Sequence, residues 1–270
     1  MCFARRERCY EPHRRLRTFI LAKAKVCDSL SCRCLHPVMD QHTRRISHFL
    51  RLDCSGIAVC VCASGHGSSK VERMKVLIAC EFSGIVRAAF EKMGHDAWSC
   101  DLLPTEIPGK HYQGDVFELL SYDSKWDLVV AHPPCTRLAN SGVRWLAERN
   151  LWEEMEKAAY FFHAFLTLKY THHIKRVCVE NPIPHKYAME IIKRGYDQII
   201  QPWQFGHGET KSTCLWLMVL PLLVPTNIVN GREARVHKET GWQPADERRK
   251  NRSRTFPGIA QAMAEQWGKL

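Results

Sequence analysis

The sequence predicts an α/β fold built on a doubly wound, mostly parallel sheet. From Met74 onward, short runs rich in Val, Ile and Leu alternate with segments of helical spacing, the pattern of successive strand-helix-strand units. The runs are apolar without alternation, as expected of strands covered on both faces. A charged or reactive residue directly follows nearly every run: Glu81, Asp101, Asp115, Cys135 and Glu180. In an open α/β sheet the carboxyl ends of the strands share one rim, where ligands and chemistry collect.

Residues 75–80 are the first strand, and Glu81-Phe82-Ser83-Gly84-Ile85 turns into a helix over 86–93. Residues 96–100 are the second strand, ending at Asp101. Gln113-Gly114-Asp115-Val116 reads as a short third strand and turn. Trp126-Asp127-Leu128-Val129-Val130-Ala131 is the fourth strand, stopped by Pro133 and Pro134, which cannot donate to a ladder. Trp152, Met155, Ala159, Phe162, Phe165 and Leu166 recur at helical spacing. Residues 176–179 are the fifth strand, ending at Glu180-Asn181-Pro182. A helix over 187–193, strands over 198–200 and 213–219, a polar segment over 232–254 and a closing helix over 257–268 complete the chain.

A chain of 270 residues holds one large domain or two small ones. The apolar and charged fractions, 45% and 25%, are those of an ordinary globular protein. No apolar run approaches the roughly 18 residues needed to span a bilayer, and the amino terminus lacks a signal-peptide pattern, so a cytoplasmic protein without a membrane partner is expected. The formal net charge is +11, but residues 1–73 hold 14 Lys/Arg and 6 Asp/Glu, leaving 25 against 22 in the rest. The basic signal therefore belongs mostly to the first segment, and the remainder neither demands nor excludes a nucleic acid.

That first segment has no sustained periodicity. Cys27, Cys32, Cys34, His36, Cys60 and Cys62 do not show the paired Cys-x-x-Cys arms of a zinc module, so no metal is expected. A basic DNA-clamping arm is one reading of its arginines. The favoured one is a disordered or mis-assigned extension, with a catalytic domain over 74–270. The other five cysteines mostly sit in apolar runs, where a thiol behaves as a small hydrophobe, and no disulfide framework is expected. Cys135 differs, because a rigid Pro-Pro turn presents it at a strand tip as a candidate nucleophile. Asp101, at the end of the second strand, is placed to take the ribose hydroxyls of a nucleoside-containing cofactor, and Asp115 to accept from an adenine amino group.

These residues resemble the DNA (cytosine-5) methyltransferase family in a compact, phage-type form. Glu81-Phe82-Ser83-Gly84-Ile85 is similar to the Phe-x-Gly loop that holds S-adenosylmethionine, Asp101 to the ribose acid, and Gly114-Asp115-Val116 to the adenine-contacting turn. Pro133-Pro134-Cys135 resembles the Pro-Cys nucleophile motif, Glu180-Asn181-Pro182 the Glu-Asn-Val motif, and Arg252-Ser253-Arg254 the Arg-x-Arg motif. Phe256-Pro257-Gly258-Ile259 resembles the segment that closes the cofactor pocket. The resemblance implies a Rossmann-like S-adenosylmethionine-dependent methyltransferase fold and duplex DNA with a flipped cytosine as partner. It also implies, in a bacterial or phage-infected cell, a place in DNA methylation or restriction-modification. Cys135 would add to carbon 6 of the pyrimidine, Glu180 would serve ring nitrogen 3, Asn181 would fix the Cys135 loop, and Arg252 or Arg254 would steady the base or a phosphate.

The chain departs from that pattern in four places. Val86-Arg87 stands where paired glycines are expected, Thr136 where glutamine is usual, and Pro182 where valine is. Only 89 residues follow Asn181, too few for a large target-recognition region. The loop His207-Gly208-Glu209-Thr210-Lys211, beside Trp203 and Phe205, reads equally as a nucleic-acid contact or an ordinary surface loop. Competing readings are an exocyclic-amino methyltransferase, an enzyme modifying free pyrimidine nucleotides, and a non-catalytic cofactor-binding relative. His132 is read as a turn residue rather than a proton shuttle.

Overall fold

The structure, a computed structural model, describes residues 72–122 and 125–270, which fall within one compact unit, Ser69–Leu270. The expectations placed on residues 1–71 lie outside the described residues. In chain order the elements are β1 (Lys75–Ala79), α1 (Ile85–Lys92), β2 (Asp96–Asp101), β3 (His111–Gln113), α2 (Val116–Tyr122), β4 (Leu128–Ala131), α3 (Arg144–Glu148), α4 (Trp152–Leu166), α5 (Leu168–Thr171), β5 (Arg176–Pro182), α6 (Lys186–Ile192), β6 (Gln198–Ile200), β7 (Thr213–Met218), α7 (Arg235–Thr240), α8 (Ala245–Ser253) and α9 (Pro257–Trp267).

The strands form one sheet in the order β3-β2-β1-β4-β5-β7-β6. The pairs among β1 to β5 are parallel, while β7 runs antiparallel to both β5 and β6. Alternate residues of each strand enter two separate cores. Leu77, Val129, Val177 and Trp216 pack on one face against Leu120, Met155, Phe162 and Phe165 of α2 and α4. Val76, Val130, Cys178 and Leu217 pack on the other against Val86 and Phe90 of α1 and Ile259, Met263 and Trp267 of α9. Two buried faces explain why the strands read as unbroken apolar runs. The result is a doubly wound, Rossmann-like sheet of seven strands, parallel from β1 to β5, with antiparallel β7 set between β5 and β6.

Three stretches of the chain differ notably from expectation. β3 ends at Gln113, and Val116, expected in a strand and turn, instead opens α2. Asp115 causes this: its Oδ1 accepts from the Phe117 N–H at 2.7 Å and its carbonyl from the Leu119 N–H at 3.2 Å, which caps a helix start. β5 runs on through Glu180, Asn181 and Pro182 because β7 pairs with all three. The polar segment holds two helices. α8 buries none of its residues, so it carries no apolar stripe for periodicity to reveal. Its acids in the first turn and bases in the last complement the helix dipole instead. Among the described residues no helix is long and apolar enough to cross a membrane.

Candidate active site

The site begins with a difference in strand length. β4 pairs with β5 from Leu128 opposite Arg176 to Ala131 opposite Val179. Beyond that point β4 has two prolines, leaves the sheet, and becomes the loop that carries Cys135. β5 continues, with Glu180, Asn181 and Pro182 held on their other side by Leu215, Cys214 and Thr213. A notch therefore opens at the rim, with the thiol on one side and the carboxyl group on the other.

The Cys135 loop is fastened to the chain after β5. Asn181 is buried, and its Nδ2 donates to the Pro133 carbonyl at 2.9 Å. The Asn140 N–H donates to the Ile183 carbonyl at 2.9 Å, and the His185 N–H to the Leu138 carbonyl at 3.0 Å. His185 Nδ1 accepts from the Ala188 N–H at 3.1 Å, so its hydrogen sits on Nε2, which reaches the Arg137 carbonyl at 2.9 Å. The thiol thus stands on a tied loop rather than a free one.

A cleft of about 550 Å³ fills the notch and is lined by Cys135, Glu180, Asn181, His132, Pro133 and Lys211, with Glu81, Phe82, Ser83 and Arg252 at its sides. Burial and the neighbouring Glu180 carboxylate push the Cys135 thiol above its ordinary value, and Lys211 opposes them. Burial alone would also push the Glu180 carboxyl up. A hydrogen bond and charge from the His132 ring, the Lys211 ammonium and a Thr213 hydrogen bond outweigh it, and hold that carboxyl below the usual range. Lys211 Nζ itself donates to the Arg252 carbonyl at 2.6 Å.

A second cleft, of about 460 Å³, lies beside the first and shares Cys80 and Pro134 with it. Asp101, Asp115, Leu102, Val116 and Phe161 line it. Asp101 Oδ1 accepts from the Leu103 N–H at 2.9 Å. Burial nonetheless keeps the Asp101 carboxyl above its ordinary value, against the loop N–H groups and His111. Where the clefts meet, Cys80 holds a left-handed backbone with φ of 58°, a conformation costing a non-glycine residue about 1–2 kcal/mol and typical of functional sites. Burial pushes the Cys100 thiol up to about 12, as befits a small hydrophobe.

The loop after β1 is built around its helix. Glu81 accepts from the Val86 N–H at 2.7 Å, the Arg87 N–H at 3.3 Å and Ser83 Oγ at 3.2 Å, so its carboxyl group caps α1 while also walling the first cleft. Gly84 takes φ of 72° there, and lines neither cleft. The Val86-Arg87 departure does not fill the site. Arg87 is fully buried, and its guanidinium donates to Ser99, Glu91 and the Ile107 carbonyl, which fastens the 102–109 loop to α1.

The two arginines separate. Arg252 lines the first cleft, although its guanidinium donates to Thr240 Oγ1 at 2.7 Å and the His237 carbonyl at 3.3 Å and so ties α8 to α7. Arg254 lines neither cleft; it grips Glu106 through two hydrogen bonds, at 2.8 and 2.6 Å, and lies over the Phe82 ring. The structure thus gathers Cys135, Glu180, Asn181, Arg252, Glu81, Phe82, Ser83 and Pro133 at the first cleft, and Asp101, Asp115 and Val116 at the second. Sequence reasoning undervalued His132, Lys211, Cys80 and Phe161. Only the placement of His132 just before the two prolines hinted at a role.

No protein-family model matches the chain, and no curated protein matches it by sequence. Solved structures do. A prophage-encoded Escherichia coli protein described as a DNA modification methyltransferase matches with a TM-score of 0.41 at 13% identity, over 58% of this chain and 52% of its own. EhMeth, a methyltransferase of Entamoeba histolytica, matches with a TM-score of 0.38 at 16% identity, over 58% of each chain. The chain thus spans little more than half the length of either. At these identities and scores the likeness concerns the fold and says nothing of the chemistry.

Proposed function

We propose that the protein transfers a methyl group from S-adenosylmethionine to carbon 5 of cytosine in DNA, through a covalent bond to Cys135. The observation that carries this reading is the meeting of Cys135 and Glu180 across the notch between β4 and β5, in one cleft with Lys211. The second cleft supports the cofactor. Asp101 offers an acceptor for ribose hydroxyls, Leu102, Val116 and Phe161 offer an apolar seat for a base, and Asp115 lies at the cleft edge. Bound there, the cofactor supplies an electrophilic methyl group on a sulfonium.

The chain's residues do the rest. Lys211 favours the Cys135 thiolate that Glu180 and burial disfavour. The thiolate forms a bond to carbon 6 of the ring, and the displaced electron pair makes carbon 5 nucleophilic. Glu180, an acceptor facing the same cleft, accepts from the exocyclic amino group of the pyrimidine and, once ring nitrogen 3 takes a proton from water as charge develops there, from that N–H as well. Carbon 5 would accept the methyl group of a donor held in the second cleft, whose sulfonium would leave as a neutral thioether. Loss of the carbon 5 proton to water, breakage of the carbon 6–sulfur bond and return of the nitrogen 3 proton to water then restore the ring and the thiolate. A base in a duplex reaches this half-buried thiol, set in the notch, only when flipped out. Half-buried Arg248 and exposed Lys250 on α8, next to Arg252, give the backbone a basic face to approach.

The test incubates the full chain with methyl-labelled S-adenosylmethionine and, in parallel, duplex DNA or free cytosine nucleotides, followed by digestion of the DNA to nucleosides. Label on carbon 5 of cytosine is expected. Label on an exocyclic amino group overturns the role of Cys135, and label appearing only on free nucleotides overturns the DNA substrate. DNA containing 5-fluorocytosine is expected to trap an adduct that Cys135→Ala abolishes.

A further inference from the structure

His132 has no task in the chemistry above. Its side chain is 8% exposed, and Nδ1 lies 3.1 Å from Glu180 Oε2, between residues 48 apart in the chain. The backbone is pinned on both sides of the ring: the His132 N–H donates to the Ala79 carbonyl at 2.9 Å, and Pro133 fixes the following φ. Nε2 is buried with no hydrogen-bond partner among the described residues. A carboxylate only accepts, so the hydrogen of this bond belongs to Nδ1. The other groups acting on Glu180 are Lys211 and Thr213 from the β7 side; Cys135 faces it from the loop after β4, and Cys178 and Cys214 from within the sheet. From the segment that follows β4, His132 is the side chain that hydrogen-bonds it.

We propose that His132 is the positioning residue of the site, its Nδ1–H tying Glu180 into the notch as an acceptor aimed at the pyrimidine edge. This rests on the reading of Glu180 as the pyrimidine's partner. The pinned ring explains why a histidine precedes the two prolines: His132 and Glu180 each stand one residue past the last β4–β5 pair, Ala131 and Val179, so the His132 side chain meets the carboxyl group just where β4 leaves the sheet and β5 continues. Hydrogen bonds to charged groups are worth about tenfold to a hundredfold in an equilibrium. A loss of that size is expected in kcat, with little change in KM for DNA, because the contact to His132 is internal to the protein.

The test uses the full chain carrying carbon-13 at glutamate carboxyls, with the Glu180 signal assigned by its absence in Glu180→Gln. His132→Phe keeps the ring's volume and removes the donor, and His132→Asn restores a donor nitrogen near the Nδ1 position. The Glu180 titration midpoint is expected to rise by about one pH unit or more in His132→Phe and to return most of the way in His132→Asn, with kcat following it. Should His132→Phe not fold, His132→Ala is the second donorless variant. A midpoint that stays put in a folded donorless variant overturns the proposal. A midpoint that moves in a protein transferring no methyl group upholds the couple and overturns the pyrimidine chemistry instead.

Discussion

Replacing Asn181 by leucine tests whether the Cys135 loop is held as the geometry requires. Asn181 is 1% exposed, and its Nδ2 makes a 2.9 Å bond to the carbonyl of Pro133, itself buried. Leucine has a similar volume but no donor, so the Pro133 carbonyl is left buried and unsatisfied at about 1–3 kcal/mol. Part of this is offset, because Asn181 Oδ1 is already buried without a partner and leucine removes it. A net loss of about 1–2 kcal/mol corresponds to a melting temperature lower by roughly 2–8 °C for a unit of this size. The effect on chemistry is expected to be larger. Pro133 lies two residues before the nucleophile, and a misplacement of about 1 Å costs on the order of 100-fold in rate. Asn181→Asp, which sets an acceptor against the Pro133 carbonyl, is expected to be worse on both counts. The assay pairs thermal unfolding with the rate of adduct formation on 5-fluorocytosine DNA, well below the transition. If Asn181→Leu melts with the wild type and traps DNA within about twofold of its rate, the loop is not held by this bond.

Other perturbations probe the remaining parts of the site. Gly84→Ala forces a side chain into a left-handed backbone, φ 72°, and sets its Cβ 2.7 Å from the Arg87 Nη2 that is already committed to the Ile107 carbonyl; destabilisation of at least about 1–2 kcal/mol is expected in urea unfolding, and wild-type stability would contradict the capped-loop account. Glu180 has a carboxyl held below its ordinary 4.5, so the folded state binds fewer protons, and its stabilising contribution is present above that value and lost as pH falls through the folded one. The stability gap between wild type and Glu180→Gln should therefore narrow toward acid pH, and a gap that widens there reverses the sign of the argument. Lys211 lowers a Cys135 thiol that burial and Glu180 raise. Lys211→Met should thus shift the acid limb of the adduct rate to higher pH, an effect absent if Lys211 only braces the Arg252 carbonyl.

Much of the fold was legible because burial on two faces leaves a local trace. The runs at Leu77, Val129 and Val177 are apolar through and through, whichever core each residue enters. The Pro133-Pro134 stop and the acid after each strand could be placed on one rim without knowing any distance. Helix α8 left no such trace, since its surface is wholly polar, and α2 was hidden behind the single capping residue Asp115. The opening loop was opaque for a different reason. Val86-Arg87 stands where paired glycines are expected, and no local pattern shows that the buried Arg87 side chain reaches Ser99 and the Ile107 carbonyl.

Local sequence sets the succession of the seven strands, the thiol just past the tip of β4 and the acids at other strand tips, because each depends on residues adjacent in the chain. Only the tertiary structure decided how those tips divide. Asp101 and Asp115 share one cleft, while Glu180 and Cys135 share the other, and Arg254 is drawn away to Glu106, 148 residues earlier. The partnership of His132 with Glu180 was likewise invisible in the sequence. It exists because β4 stops at Ala131 while antiparallel β7 carries β5 three residues further, and a difference in strand length is a property of the sheet that pairs the strands, not of either strand alone.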